Sequence, residues 1–215
     1  MNNKLLFGVG INDAVYRVTR SEWSGDYYTN GKKKMTKVWH CPYHNIWRTL
    51  LMRCYDKTYL SKRPTYKGCT VQEGWKRFSV FKSWLISQDW QHKQLDKDIL
   101  KEGNKHYCEE YCAFVDNKVN TFIISCAKVR GTYLIGCCWD KGRGKFKAAC
   151  RNPLSPARGN LGRYDTELEA HFAWKKQKHL YSCELANSIY VTDDRVKEVL
   201  LHRYENYTVV EDHLK

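Results

Sequence analysis

An α+β chain built from small parts is predicted by three features of the sequence. They are two aromatic stripes at helical spacing before residue 90, a strand–strand–helix order over residues 94–120, and three short strand candidates followed by a helix in the last third. From Tyr43 the apolar residues Tyr43, Trp47, Leu50, Leu51 and Cys54 fall three or four apart, as on one face of a helix. Trp75, Phe78, Phe81, Trp84 and Leu85 repeat that spacing, and the two stripes are expected to pack on each other or on a small sheet. Between them, "RPTYKGCTVQ" is punctuated by Pro64 and Gly68 and reads as a loop leading into a short extended piece. Ahead of both, residues 1–38 mix glycine, asparagine and charge, and Asn30-Gly31 predicts the turn of a short hairpin. The Lys32, Lys33, Lys34 run beside it reads as a solvated loop, with a phosphate contact as the alternative.

In "QLDKDILKEGNKHYCEEYCAFVDNKVN" an extended segment around Leu95 to Leu100 is followed by a Gly103-Asn104 turn, a second extended piece from Cys112 to Val115, and a short helix carrying Asn120. "TFIISCAKVR", residues 121–130, is strand-like and serves as connector or as part of the first domain. The segments "TYLIGCCWD", "GKFKAACR" and "RGNLGRYD" are separated by Gly- and Pro-containing turns and predict a three-stranded antiparallel meander. Asp165 and Thr166 then precede a helix whose expected apolar stripe is Leu168, Phe172 and Leu180 with Ala170 and Ala173. A terminal helix follows, with Thr192 as its expected cap and Val196, Val199 and Leu200 on one face. The expected domains are residues 1–130, residues 131–190, and a C-terminal helix and tail over 191–215.

Lysine and arginine total 37 against 23 aspartates and glutamates, a net charge of +14, which calls for a polyanionic partner. Nucleic acid is the natural one; a ribosome or an acidic membrane surface also suits the charge. Eight Trp and 15 Tyr supply cores first, although rings beside basic residues also stack on bases. The start "MNNKLLFGVGIND" is too short an apolar run for a signal peptide, and no later run approaches the roughly 20 residues of a spanning helix. No membrane association and a cytoplasmic location are therefore expected. In that compartment the ten cysteines are expected to be reduced and mostly buried. Cys41 with His44 and Cys108 with Cys112 are the alternative halves of a structural zinc site, the less favoured reading because no CxxC pair repeats.

Residues 128–163 hold Lys128, Arg130, Lys141, Arg143, Lys145, Lys147, Arg151, Arg158 and Arg163 against one acid, Asp140. In "GRGKFKAACR", Arg143, Lys145, Lys147 and Arg151 alternate with small or apolar residues, so in a strand they share one face, and that face is not the core. Long basic side chains on a twisted three-stranded sheet suit the major groove of double-stranded DNA, where arginine reads guanine edges and lysine holds phosphates.

The same segment resembles the DNA-binding domain of the plant ethylene-response-factor family, called AP-two type, versions of which occur in phage homing endonucleases. The likeness lies in "IGCCWDKGRGKFKAACR" and "LGRYDTELEAHFAW" and covers about residues 131–186. It implies DNA contacts from the sheet residues Trp139, Arg143, Lys145, Lys147, Arg151 and Arg163. Phe146 stands where a tryptophan is usual, and "NPLSPARGN" lengthens the second turn, so base preference does not carry over.

Residues 45–120 resemble phage H-N-H proteins in four ordered motifs: "NIWRTLLMRCY", "YKGCTVQEGWKRFSVFKSWL", "LDKDILKEGNKHY" and "CAFVDNKVN". The resemblance implies a ββα-metal, His-Me finger-like region in residues 1–130, with one Mg²⁺ or Mn²⁺ held between a strand acid and a helix asparagine while a histidine activates water. By position Asp96 matches the strand acid, Asn120 matches the asparagine, and Lys97 stands in place of the histidine. A lysine amine is protonated at neutral pH and serves as a base only when strongly desolvated. Three readings stay open: Lys97 as a phosphate clamp in an inactive site, Asp98 taking over water activation, or His106 or His92 reaching in. The catalytic set implied is Asp96, Lys97, Asp98 and Asn120, with Asp96 and Asn120 as metal ligands. The functions in view are single-metal hydrolysis of phosphodiester bonds in duplex DNA, a catalytically inactive DNA-binding regulator of the same fold, and an RNA- or ribosome-binding protein.

Overall fold

The structure, a computed structural model, describes residues 5–124, 132–156 and 159–205. Among these residues the order is β1 (Thr19–Tyr27), β2 (Lys33–His40), α1 (Pro42–Tyr55), α2 (Lys57–Lys62), β3 (Thr70–Val71), α3 (Phe78–Ile86), β4 (Gln94–Asp96), β5 (His106–Tyr107), β6 (Ala113–Val115), α4 (Asn117–Ile123), β7 (Cys137–Asp140), β8 (Lys145–Ala149), β9 (Asn160–Tyr164), α5 (Glu167–Ala186) and α6 (Asp194–His202). The α+β expectation holds. The chain divides into two compact units, residues 1–89 with 103–112, and residues 90–102 with 113–215. This division differs from the boundary expected near residue 130, because the chain enters the second unit at Trp90, returns to the first at Gly103, and leaves it for good after Cys112.

Aromatic packing organises the first unit. Trp47 on α1 and Phe78 on α3 meet at 5.4 Å between ring centroids, and the Trp47 indole N–H donates to the Trp75 carbonyl at 2.7 Å, which satisfies the one polar atom of a fully buried ring. Trp75 lies in a 3-10 turn, Glu73–Lys76, rather than on the helix predicted for it, and α3 starts only at Phe78. Gly74 weakens helix there, and Asp13 accepts the Ser79 backbone N–H (2.8 Å) at the start of α3. Strands β3 and β5 pair in parallel.

Strands β1 and β2 form an antiparallel hairpin longer than the one expected, turning at Gly31 with φ +75° and a Tyr28 N–H to Lys32 carbonyl bond of 2.9 Å. Its base is tied to α1. The Cys41 N–H donates to the Val18 carbonyl (2.8 Å), and His40 Nε2 shares a hydrogen bond with His44 Nδ1 at 3.1 Å. His44 is buried against Trp47 and Phe78. Burial, with the charges of His40, Arg48 and Lys37 adding to it, pushes the His44 imidazole down to about 4. The unfolded chain then binds a proton that the folded chain refuses, so stability falls as pH is lowered from 6.5 toward about 4. In urea melts the drop in midpoint between pH 7 and pH 4.5 should be smaller in His44→Gln than in the wild type.

In the second unit β4 and β6 pair antiparallel, Gln94 opposite Val115 and Asp96 opposite Ala113, and α4 follows behind an Asp116 cap. The first strand is shorter than expected because Asp96 Oδ1 accepts the N–H groups of Asp98 and Ile99, both at 2.7 Å, folding residues 97–100 out of line. Thr121–Ile123 complete α4 rather than a strand, and Ser125–Arg130 lie outside the described residues. β7, β8 and β9 form the antiparallel meander, and α5 packs on it through Ala170.

The larger apolar cluster of this unit takes Ile99, Ala113 and Val115 from around the β4–β6 pair, Val119 and Phe122 from α4, Cys150 next to β8, Trp174 and Leu185 from α5, and Val196 and Leu200 from α6, and a smaller one joins Leu134, Cys137, Ala148 and Ala170 between the meander and α5. The α5 stripe differs from the one predicted. Leu168, Phe172 and Leu180 are 45%, 50% and 47% exposed, whereas Ala170, His171, Trp174, Ser182, Leu185 and Ala186 face inward. A capping box between Thr166 and Glu169 fixes where the helix starts, and close approach to the sheet favours the small Ala170 over the longer apolar chains. The cap of α6 is Asp193, one residue after the expected Thr192.

Gly136 shows how close α5 comes: a Cβ there would lie 2.0 Å from Trp174 Cγ, and its φ of +84° suits only glycine without strain. Gly136→Ala should lower the unfolding free energy by about 2–4 kcal/mol in denaturant melts. Among the described residues, no helix is long and apolar enough to cross a membrane.

Candidate functional site

Two groups of polar side chains stand on the second unit. In the first, Gln94 on β4 is the hub. Its amide donates to Asn117 Oδ1 at 3.1 Å, and its Oε1 accepts from Asn120 Nδ2 on α4. Asp96 sits two residues along the same strand, so Asn120 is held by Gln94 and not directly by Asp96. Asp96 commits Oδ1 to the two backbone donors, and its Oδ2 has no hydrogen-bond partner among the described residues. Burial raises the Asp96 carboxyl above its ordinary range, opposed by those two backbone bonds.

Lys97 is buried, 6% exposed, and its Nζ donates to Asp98 Oδ1 at 2.5 Å, while Asp98 itself remains half exposed. His106 belongs to the first unit, where Nδ1 shares a 2.8 Å hydrogen bond with Thr70 Oγ1. His92 is exposed in a turn with φ +61°. Among the described residues no three histidine, cysteine or acidic side chains gather as a metal-binding group, and Cys41, Cys108 and Cys112 are buried. The oxygen-bearing side chains around β4 and α4 are the Asp96, Asp98 and Asp116 carboxylates and the amides of Gln94, Asn117 and Asn120; of these, Asp96 and Asn120 are the pair that would hold a hard cation such as Mg²⁺ or Mn²⁺.

The second group is the outward face of the meander. Register places Cys138, Lys147 and Arg163 side by side across β7, β8 and β9, with Asp140 and Lys145 two residues along the same face. Two of its cations are already paired: Arg163 Nε donates to Asp140 Oδ2 at 2.7 Å, and Lys145 Nζ lies 2.9 Å from Asp165 Oδ1. The Arg163 bond holds the Asp140 carboxyl below its ordinary range. Arg143 is exposed in the β7–β8 turn rather than in the strand, where the Arg143 and Gly144 N–H groups both donate to the Asp140 carbonyl. Arg151 lies past the end of β8, exposed. Trp139 falls on the opposite side of the sheet, its ring edge-on to Phe146 at 4.8 Å, and stays 39% exposed. Lys145, Lys147 and Arg163 thus share a face, Arg143 and Arg151 flank it, and Trp139 does not join it.

Two adjoining clefts extend from that face. One of about 660 Å³ is lined by Lys147, Arg151 and Asn160, and the other, of about 560 Å³, by Arg151, Lys118, Lys178 and Trp174. Arg151 borders both, so cationic side chains continue from β8 to the outer side of α4. Lys178 is held in place, donating to the Phe122 carbonyl at 2.6 Å and lying over the Phe122 ring at 3.4 Å. Gln94, Asn117, Lys118 and Lys178 carry no signal in the sequence as functional residues. Only the pairing of β4 with β6 and the docking of α5 bring them into these groups. Comparison of the chain with protein-family models, with curated proteins and with solved structures finds no match.

Asp96 serves the fold as well as a candidate site. Because its folded-state carboxyl is raised, the neutral form is favoured, and stability is lost as pH rises through that raised value. Asp96→Asn keeps an acceptor for the Asp98 and Ile99 N–H groups without burying charge, and should unfold at pH 7 at an equal or higher urea concentration than the wild type. Asp96→Ala orphans both donors and should cost about 1–3 kcal/mol. A destabilised Asp96→Asn would show that the charge itself holds the bend.

Proposed function

We propose that the chain is a cytoplasmic protein that binds duplex DNA through the outer face of β7–β9 and acts as a phage-type homing endonuclease, hydrolysing phosphodiester bonds with one divalent cation. The observation that carries the binding half is the alignment of Lys147 with Arg163 across the sheet, flanked by Arg143 and Arg151 and continued by the clefts toward α4. Lysine and arginine on a twisted sheet meet phosphates and guanine edges in the major groove. Asp140 and Asp165 pair with Arg163 and Lys145 in the free protein, and phosphate oxygens would replace those carboxylates.

For cutting, Asp96 and Asn120 are the residues that would hold the cation, which when bound stabilises charge on the phosphate and sharpens a bound water as nucleophile. Gln94 orients the Asn120 amide through its hydrogen bond. Asp98, half exposed beside Asp96, is the group placed to accept a proton from water, with Lys97 holding it. A second reading is favoured by one observation: the Lys97 side chain is buried and bound to Asp98, so the position usually given to a histidine base is filled by a group serving the fold. On that reading the protein is a DNA-binding regulator of the same architecture.

Binding is tested by titrating a duplex at several salt concentrations. Each phosphate contact adds about 0.9 to the logarithmic salt slope, so Lys147→Ala with Arg163→Ala should lower the slope by about 1.8. Arg143→Ala should weaken binding by roughly 1–3 kcal/mol if it reads a base. An affinity that ignores salt would sink the assignment. Cutting is tested on supercoiled plasmid with Mg²⁺ or Mn²⁺ against a chelated control. Asn120→Ala should abolish nicking and leave DNA affinity nearly intact, and Lys97→His should raise the rate at neutral pH. If neither the wild type nor Lys97→His nicks under Mn²⁺, the regulator reading stands.

A further inference from the structure

We infer that the β1–β2 hairpin is a second DNA-binding arm, separate from the β7–β9 sheet, that lies in the major groove of a duplex; for the partner's class it rests on the DNA-binding reading above. The hairpin is exposed on both faces along almost its whole length. Register puts Ser21 opposite Lys37, Trp23 opposite Met35 and Tyr27 opposite Lys33, so one face gathers Trp23, Tyr27, Met35, Lys33 and Lys37. Trp23, Tyr27 and Met35 are 48%, 57% and 52% exposed. A two-stranded ribbon is marginal on its own in water, and a contiguous row of bare large apolar groups marks a surface that receives a partner.

Charge selects the partner. Between residues 17 and 37 stand Arg17, Arg20, Lys32, Lys33, Lys34 and Lys37 against Glu22 and Asp26, six cations less two anions, or +4. The partner is therefore anionic and offers apolar surface to rings and methionine, as sugars, bases and thymine methyls do beside phosphates. Cations occur on both faces, Lys33 and Lys37 on one and Arg20 and Lys34 on the other, which suits a partner that wraps the ribbon as two phosphate walls of a groove do. The major groove of B-DNA admits a two-stranded ribbon, and nine residues of strand reach about 30 Å along it. The deep, narrow major groove of duplex RNA does not admit one. Lys33 Nζ lies 5.2 Å from the Trp23 ring centroid and Tyr27 stands edge-on to that ring at 5.6 Å, so cation and apolar surface sit side by side as a groove wall presents them.

The full chain is titrated with a B-DNA duplex, a single-stranded DNA and an RNA duplex, as wild type, as a hairpin variant (Lys33→Ala with Lys37→Ala) and as the sheet variant (Lys147→Ala with Arg163→Ala). Thermal melts check that the exposed substitutions leave the fold unchanged. The expected result is preference for the DNA duplex and a salt slope lower by about 1.8 in the hairpin variant, additive with the loss in the sheet variant. If the sheet variant loses slope and the hairpin variant keeps it, the arm is overturned and the sheet reading survives. If only the hairpin variant loses it, the arm stands and the sheet assignment fails. Tighter binding of single-stranded DNA or duplex RNA, lost in the hairpin variant, overturns the groove.

Discussion

The second unit depends above all on a large apolar cluster that the β4–β6 pair, α4, the end of β8, α5 and α6 enter together. Trp174 is central to it. Its ring stacks against His171, reaches Tyr204 edge-on, and its side chain leaves room for nothing larger than hydrogen on Gly136. Because α5 runs 20 residues, its first turns cover the sheet through Ala170 while its later turns pack Leu185 and Ala186 with α6 and α4. The outward face of the meander and the Gln94–Asn120 group are therefore two surfaces of one packed body, coupled through interior side chains that do not deform easily.

Charge is distributed differently over the two surfaces. Around β4 the ionisable groups are drawn into the structure: Asp96 serves the backbone of a bend, and Lys97 is buried beside Asp98. Taking Asp98 away would leave the buried Lys97 charge without that partner, which is costly and resists exchange for external ligands. On the meander Lys145–Asp165 is open to water and Arg163–Asp140 partly so, with no member buried as Lys97 is, and such a pair is worth little and is readily given up. Under the proposed function, the sheet is the surface ready to trade partners and the β4 region the one constrained by its own fold.

Local periodicity made much of this architecture legible. The stripe from Tyr43 to Cys54 became α1, the Asn30-Gly31 signal became the turn of β1–β2, and the three Gly- and Pro-bounded segments became β7, β8 and β9. Misreadings came where a nonlocal contact decided. The apolar stripe on α5 looked continuous through Leu168, Phe172 and Leu180, yet the inward line is set by the short distance to the sheet. Arg143 and Arg151 matched strand alternation in the sequence, but the turn bonded to the Asp140 carbonyl and the end of β8 at Ala149 remove both from the strand. Gln94 gave no sign of its part, because an amide bridging Asn117 and Asn120 exists only once β4 lies beside β6.

The shared core also makes the second unit a gauge. The offset between the Lys147–Arg163 row and the Asn120 amide is set by packed interior side chains and the 20-residue length of α5. A change of one turn in α5 would move one surface against the other by about 5.4 Å, roughly one and a half base-pair steps. If one surface reads DNA and the other cuts it, the number of base pairs between the two events is written into the interior of the protein.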